Sequence, residues 1–510
     1  MIITSNLTFA YPGQPPVLKN INLTIPPGSH VALSGKNGSG KTTLALLLKG
    51  LLKPSDGVVT VDGMNTNREE ACYEIMERVG LVFQNPDNTI MSTMVERELA
   101  FGLENMGIPS QEMKARVDET LKRFDLEPFR YTNPIHLSGG EKQRLALAAV
   151  MIMQPSYLIL DEPTSLLDPS SSEHILRLIH NTACEGATVI HITQFAVEML
   201  LADRALILDE SGICLDGPPG KVLEKKPAVR TGGFVHSLPD CTIGIQKSDL
   251  AKQERVHQQA SVQSVSSISV ALEHITHWYD EGTPFSHRAL NDITLVLPEG
   301  TSSVLLGPAG AGKTTLLEIA SGVTVPSRGE VHSHGNQLRA MAFQFPEDQM
   351  FGDTVKSYVS FGPENIGIPE DLLDEYIECA LRDVGLDPDK YCDRDPFTLS
   401  GGEARLVALA GVLSMKPDVL ILDEPTAGLD RDGIRLVLNI LRNFVNAGGT
   451  LLFSTHDLEV AQCLSDYVAV LNKGSMEIYG NVIEVFDKSK WITSVKDSIA
   501  AFVRTSKHHS

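Results

Sequence analysis

"GKNGSGKTT" at 35–43 and "GPAGAGKTT" at 307–315 decide the fold of this chain. Each follows an apolar, strand-like run, "HVALSG" (30–35) or "SSVLLG" (302–307), and each precedes an apolar helical pattern. In that setting Gly-x4-Gly-Lys-Thr is a phosphate-binding loop, whose glycines let backbone N–H groups turn inward around phosphate oxygens at a helix N-terminus. The first cradle is Gly35, Asn37, Gly38, Ser39, Gly40, Lys41, Thr42 and Thr43. The second is Gly307, Pro308, Ala309, Gly310, Ala311, Gly312, Lys313, Thr314 and Thr315. The lysines neutralise terminal phosphate oxygens, and the Thr42 and Thr314 hydroxyls are candidate Mg²⁺ ligands. The alternative is a chance glycine-rich turn, which does not explain a second occurrence in the same context.

Working outward, the whole chain reads as a duplicated unit. "LSGGE" stands at 137–141 and 399–403, and "LILDEPT" at 158–164 and 420–426. From the first of these motifs through Gln194 and His456 the copies align without a gap at an offset of 262 residues. Upstream they differ, with 43 positions from Lys41 to Gln84 against 31 from Lys313 to Gln344, so one copy carries a surface excursion. Residues 227–267 are Gln/Ser-rich with little periodicity and read as a flexible linker between domains at 1–226 and 268–510. "ISVALEHITHWY" (268–279) reads as the first strand of the second unit. Short apolar strands alternating with longer helical patterns imply an α/β core with a largely parallel sheet.

The apolar strands "YLILDEP" (157–163) and "VLILDEP" (419–425) end in paired carboxylates. Asp161 and Asp423 suit a hold on Mg²⁺, and Glu162 and Glu424 suit orienting and deprotonating an attacking water. Adjacent strand residues face opposite sides, so the two acids need different jobs. Ser138-Gly139-Gly140 and Ser400-Gly401-Gly402 stand just before apolar helical runs and expose N–H groups to an anion. A plain helix cap by Ser138 or Ser400 is the blander reading.

In that order, and twice, these motifs resemble two ATP-binding-cassette (ABC) ATPase domains, over about 470 residues. The resemblance implies an α/β fold of two tandem P-loop domains, each with a RecA-like core, an antiparallel β-subdomain and a helical signature subdomain. It implies ATP and Mg²⁺ as cofactors, and an intramolecular cassette pair in which each ATP lies between the P-loop of one domain and the signature of the other. Tyr11 and Tyr279 sit where the family stacks a ring on adenine; an ordinary strand-end aromatic is the alternative.

The glutamine-loop segments at 83–109 and 343–369 are similar to those of the two ATPases of energy-coupling factor (ECF) transporters, importers of vitamins and metal ions. That likeness implies that Gln84 and Gln344 reach Mg²⁺ and the attacking water. It also implies that the following helices dock a separate transmembrane coupling subunit, itself joined by a small substrate-binding membrane subunit. Core packing is the other reading of these helices, and Met91, Met94 and Phe351, expected to be exposed, suit either role.

The family places a histidine on the γ-phosphate at the end of the next strand. "LLFSTHDLEVAQ" (451–462) supplies His456, whereas "VIHITQFAVEML" (189–200) supplies Gln194. His191 leaves an extended strand on the opposite face. A Gln amide donates a neutral hydrogen bond and carries no charge or proton. Two unequal sites follow as an expectation, the Gln194 site being the slower. "SLLD" (165–168) against "AGLD" (427–430), and Gln143 and Arg144 against Arg405 and Leu406, are further departures between the copies.

The bulk numbers fit this frame. At 510 residues the chain exceeds one core. Its 43 basic against 64 acidic residues, a net charge of −21, oppose attraction to phosphate backbones, so nucleic acid is not an expected partner. No apolar run reaches the ~18–20 residues that span a bilayer. "MIITSNLTFAYPG" lacks the look of a secretory signal. The seven cysteines (Cys72, Cys184, Cys214, Cys241, Cys379, Cys392, Cys463) form no Cys-x-x-Cys pair, which favours a reducing compartment. The expected location is peripheral, through partners, at the cytoplasmic face of a prokaryotic plasma membrane. The rival class, a soluble tandem-cassette protein acting on ribosomes or DNA, normally brings basic arms or cysteine-rich modules that this sequence lacks. The tail at 491–510, with His508 and His509, is too sparse for a metal site.

Overall fold

The computed structural model describes residues 1–165, 167–225, 267–283, 286–343 and 350–495. The chain divides into two compact units, with 1–225 in the first and 267–495 in the second. Gln344, most of the expected linker, Cys241, Leu166 and the tail beyond 495 lie outside the described residues.

Each unit is built on a six-stranded sheet. In the first its order is Val79–Val82, Tyr157–Asp161, Thr188–Ile192, His30–Gly35, Arg204–Asp209, Gly212–Gly217. In the second it is Arg339–Ala342, Val419–Leu422, Thr450–Ser454, Ser302–Leu306, Tyr467–Asn472, Ser475–Asn481. All neighbours are parallel except the last pair, which is antiparallel. The central strands are buried along their whole length, as their unbroken apolar sequences require when both faces are covered.

Alternation distributes these side chains between two cores. Tyr157 and Ile159 join one cluster with Leu44, Leu47 and the antiparallel strands, while Leu158 and Leu160 join another with Leu99, Val117, Leu121 and Leu145. The first core backs onto an antiparallel sheet in the order Leu18–Ile25, Ile2–Phe9, Asp56–Val61, Met64–Asn65. The second unit has His287–Pro298, Ile268–Tyr279, Arg328–Ser333 in its place. The other core is covered by the helices Val95–Asn105, Ser110–Arg123 and Gly139–Met151. Val355–Asn365, Glu370–Asp383 and Gly401–Leu413 pack on one another in the second unit. The excursion of copy one is the strand Met64–Asn65 and the helix Glu69–Arg78, for which the second unit has no counterpart among the described residues.

The phosphate-loop strands pass so close to their neighbours that a side chain has no room at their ends. A Cβ on Gly35 would stand 2.2 Å from the Leu208 carbonyl oxygen, and one on Gly307 would stand 2.1 Å from that of Leu471. Gly307 also holds φ at +145°. Because backbone cannot swing aside as a side chain can, Gly35→Ala and Gly307→Ala are each expected to destabilise their own unit by about 2 kcal/mol or more. Calorimetric unfolding transitions unchanged from those of the parent would contradict this.

Candidate functional site

At the end of each loop strand the chain turns into a helix, Lys41–Leu48 or Lys313–Ser321, through a left-handed glycine. Gly40 (φ +92°) and Gly312 (φ +94°) make no side-chain cap, so the first-turn N–H groups are left for a ligand. Lys41 Nζ donates to the carbonyls of Gly35 (2.9 Å) and Lys36 (3.0 Å), and Lys313 Nζ to those of Gly307 (2.9 Å) and Pro308 (3.0 Å). Each ammonium is thus folded back over its own loop, where an anion would meet it. The buried Ser39 hydroxyl has no hydrogen-bond partner, which suits a phosphate oxygen, whereas its counterpart Ala311 packs into the core. Gly38 and Gly310 hold φ at +78° and +71° at the open tips of the loops. Ala309 stands where the first loop has Asn37.

The paired carboxylates divide as their alternation requires. Asp161 Oδ2 accepts from the Thr42 hydroxyl at 2.6 Å, and Asp423 Oδ2 from Thr314 at 2.6 Å. Burial pushes both carboxyls above the ordinary aspartate value, against the pull of those hydroxyls and of the adjacent lysines. A desolvated carboxylate paired with a threonine hydroxyl beside a phosphate cradle fits a divalent cation, so Thr42 with Asp161 and Thr314 with Asp423 are the residues that would hold Mg²⁺.

Glu162 and Glu424 follow in left-handed backbone, with φ of +46° and +50°. For a non-glycine residue this is strained, and the strain recurs at the same position in both units. Around Glu162 stand three nitrogens: Gln194 Nε2 at 2.8 Å from Oε1, Lys41 Nζ at 3.9 Å from Oε1, and Gln84 Nε2 at 3.3 Å from Oε2. Gln84 also donates to Ser165 Oγ at 3.3 Å, and Gln194 to Asn37 Oδ1 at 2.8 Å. Around Glu424, His456 Nδ1 lies 3.0 Å from Oε2. Burial alone would raise the Glu424 carboxyl, but the charge and hydrogen bond of His456, followed by Lys313, hold it below its ordinary value.

The signature serines cap their helices. Ser138 Oγ accepts from Glu141 N while Glu141 Oε2 accepts from Ser138 N at 2.8 Å, and Ser400 and Glu403 repeat the arrangement. The capping reading is therefore true of both serines and leaves the anion-binding one compatible with it. A Cβ on Gly139, Gly401 or Gly402 would meet nothing, whereas one on Gly140 would meet the Ser171 side chain. Glu403 alone is further held by Tyr391 OH (2.7 Å) and Arg394 (3.2 Å). Burial opposes these contacts and the Ser400 backbone bond, yet the carboxyl falls to about 2.

Tyr11 OH and Tyr279 OH each lie 3.1 Å from a threonine hydroxyl of the loop helix, Thr43 and Thr315, which places both rings beside the cradles. His287 stacks on Tyr279 with centroids 5.4 Å apart. Met91 and Phe351 are exposed as expected, but Met94 is half-buried where it enters the helix Val95–Asn105. His191 is fully buried, with its ring stacked on His30 and Nε2 at 3.2 Å from Glu198.

Two residues at the site were not singled out by the motifs. The Ser454 hydroxyl donates to Asp423 and accepts from Glu424 N at 3.0 Å, and Glu198 accepts from the Thr164 and Thr193 hydroxyls. The signal was available at the shared offset, where Ser454 faces Ile192 and Glu198 faces Val460.

Comparison with known proteins bears on the family and the fold. A family model described as "ABC transporter" matches residues 18–165 and 290–427. A Caldanaerobacter subterraneus protein named as an ABC transporter ATP-binding protein is 32% identical, with 96% of this chain and 93% of the relative covered. A Bifidobacterium longum protein of the same description is 31% identical over 88% of this chain, which spans 62% of that relative's length. Among solved structures, a model of ribosome-bound archaeal Pelota and ABCE1 is similar in fold, with a TM-score of 0.68, 21% identity and coverage of 96% of this chain and 80% of that one.

Proposed function

The chain belongs to the ABC transporter family, as a tandem ABC ATPase, and from that membership we propose that it is the ATP-binding, energy-coupling component of an ECF-type importer. The observation that carries the chemistry is the pair of glutamates, each strained at the end of a buried strand, Glu162 ringed by Gln84, Gln194 and Lys41 and Glu424 paired with His456. In this reading Glu162 and Glu424 take the proton of the attacking water. Lys41 and Lys313 move from their own loop carbonyls to the phosphates, and Tyr11 and Tyr279 stack on adenine. Mg²⁺, when bound, neutralises charge on the phosphate oxygens. Gln84 and Gln344 would sense that cluster and pass its state to the helices that follow. The pairing of each phosphate loop with the other unit's signature belongs to the same proposal and rests on the resemblance alone.

Coupling to transport is supported by the glutamine-loop segments and by what surrounds them. Met91 is 76% exposed, and Phe351 packs edge-on against Phe361, itself 52% exposed. Apolar side chains left open beside a nucleotide sensor suit a partner that must feel its movement. No helix among the described residues is long and apolar enough to cross a membrane, and this reading assigns the membrane-spanning role to partner subunits. The two sites are read as unequal, because Gln194 spends its amide on Asn37 and Glu162 while His456 sets an ionisable ring against Glu424.

The partner assignment is tested by affinity capture of the full chain from detergent-solubilised membranes of its host. A polytopic coupling subunit with a small membrane protein is the expected catch. Ribosomes or nucleic-acid proteins, with nothing polytopic, would overturn the transport reading and leave the ATPase chemistry standing.

A further inference from the structure

The segment after the switch residue is built differently in the two units. In the second, Asp457 caps the helix Leu458–Leu464, accepting from Glu459 N at 2.9 Å and Val460 N at 3.2 Å. In the first, Phe195 occupies that position and makes no side-chain cap for the four-residue helix Ala196–Met199. Here the carboxylate comes instead from inside the short helix. Glu198, 3% exposed, accepts from Thr193 Oγ1 on one oxygen and from Thr164 Oγ1 on the other, with His191 Nε2 at 3.2 Å. Thr193 Oγ1 in turn accepts from Phe195 N at 3.0 Å.

Thr164 lies two residues past Glu162, and Thr193 lies one before Gln194. The two arms of Glu198 therefore tie together the two loops that carry the Glu162–Gln194 contact. The second unit joins the same two loops by another route, through Ser454, whose hydroxyl reaches Asp423 and Glu424 N. Ile192 in the corresponding place has no hydroxyl, and there Glu162 N bonds the Ile192 carbonyl at 3.0 Å.

We propose that Glu198 is a positioning residue of the first site, a buried carboxylate brace that holds Gln194 against Glu162 and replaces the serine brace of the second unit. Both of its oxygens are taken up by Thr164 and Thr193, and it acts through the two loops. The proposal rests on the reading of Glu162 as the group that activates water.

The test uses the full chain carrying Glu424→Gln, so that the remaining hydrolysis reports the first site. Into it are placed Glu198→Val (the residue of the second unit), Glu198→Gln, and Thr164→Val, which removes one arm while keeping shape and the buried carboxylate. Glu198→Val and Thr164→Val are each expected to lower kcat about tenfold or more with KM within about twofold. Their double variant should lose little more than either alone. Glu198→Gln, whose amide oxygen still accepts one hydroxyl, should lie between. Backbone hydrogen exchange without nucleotide reads the brace independently of turnover: residues 161–165 and 193–199 should both exchange about tenfold faster in Glu198→Val. If the 161–165 segment exchanges as in the parent, or if kcat stays within twofold where hydrolysis is measurable, the brace is refuted. If the parent itself shows no hydrolysis, the reading of the first site as hydrolytic falls, and exchange alone decides for or against the brace.

Discussion

Glu424→Gln should abolish most steady-state ATP hydrolysis, by about 10²-fold or more, whereas Glu162→Gln should leave the larger part of it. The glutamine is nearly isosteric and keeps the strained backbone, so the loss reports the missing base and not a collapsed strand. At the second site His456 lies 3.0 Å from the glutamate and holds it ionised. At the first, Gln194 contributes only a neutral amide, and both of that amide's hydrogens are already engaged by Asn37 and Glu162. An ionisable ring can share a proton during the reaction, and an amide cannot. Phosphate release measured at saturating ATP and Mg²⁺ decides the matter. Equal losses in the two variants would mean that Gln194 works as well as His456, and the inequality would have to be given up.

The second large effect concerns binding. Lys41→Ala and Lys313→Ala should each remove one nucleotide site, lowering affinity there about 100-fold, near 3 kcal/mol. Each ammonium already lies at hydrogen-bond distance from two carbonyls of its own loop and transfers to phosphate oxygens without reaching across the unit. Charge-assisted bonds to a multiply charged anion are stronger than those to carbonyls, and an alanine offers none. Titration with a fluorescent ATP analogue should fall from about two equivalents per chain to about one for either variant. Retention of both sites at parent affinity would show that the loop N–H groups suffice.

What the sequence made legible was the part whose chemistry dictates residue type at fixed local spacing. The loop glycines, lysines and threonines stand where the motifs place them, and Asp161 and Glu162 reach different partners, as strand alternation demands. The signature serines show the blander role, capping their helices. Less legible were residues whose importance comes from partners far along the chain. Ser454 reaches Asp423 across 31 positions, and Glu198 reaches Thr164 across 34. Neither belongs to a motif, because a brace can be made by any hydroxyl or carboxylate that arrives at the right place. The excursion between Lys41 and Gln84 was visible as a length, but its helix Glu69–Arg78 was not, since a length difference says nothing of what fills it. Met94 was misjudged for a related reason: it begins the helix that follows the loop, and one flank is covered.

The left-handed glutamates have a bearing on how such a chain can change over time. Holding a residue with a Cβ at φ near +50° costs about 1 kcal/mol that a glycine would not incur. At 162 and 424 the conformation that protein stability favours and the side chain that hydrolysis needs are therefore opposed. Selection for robustness alone, as in a screen for heat resistance, would drift these two positions toward glycine or asparagine and yield sturdier chains that still grip nucleotide but no longer spend it.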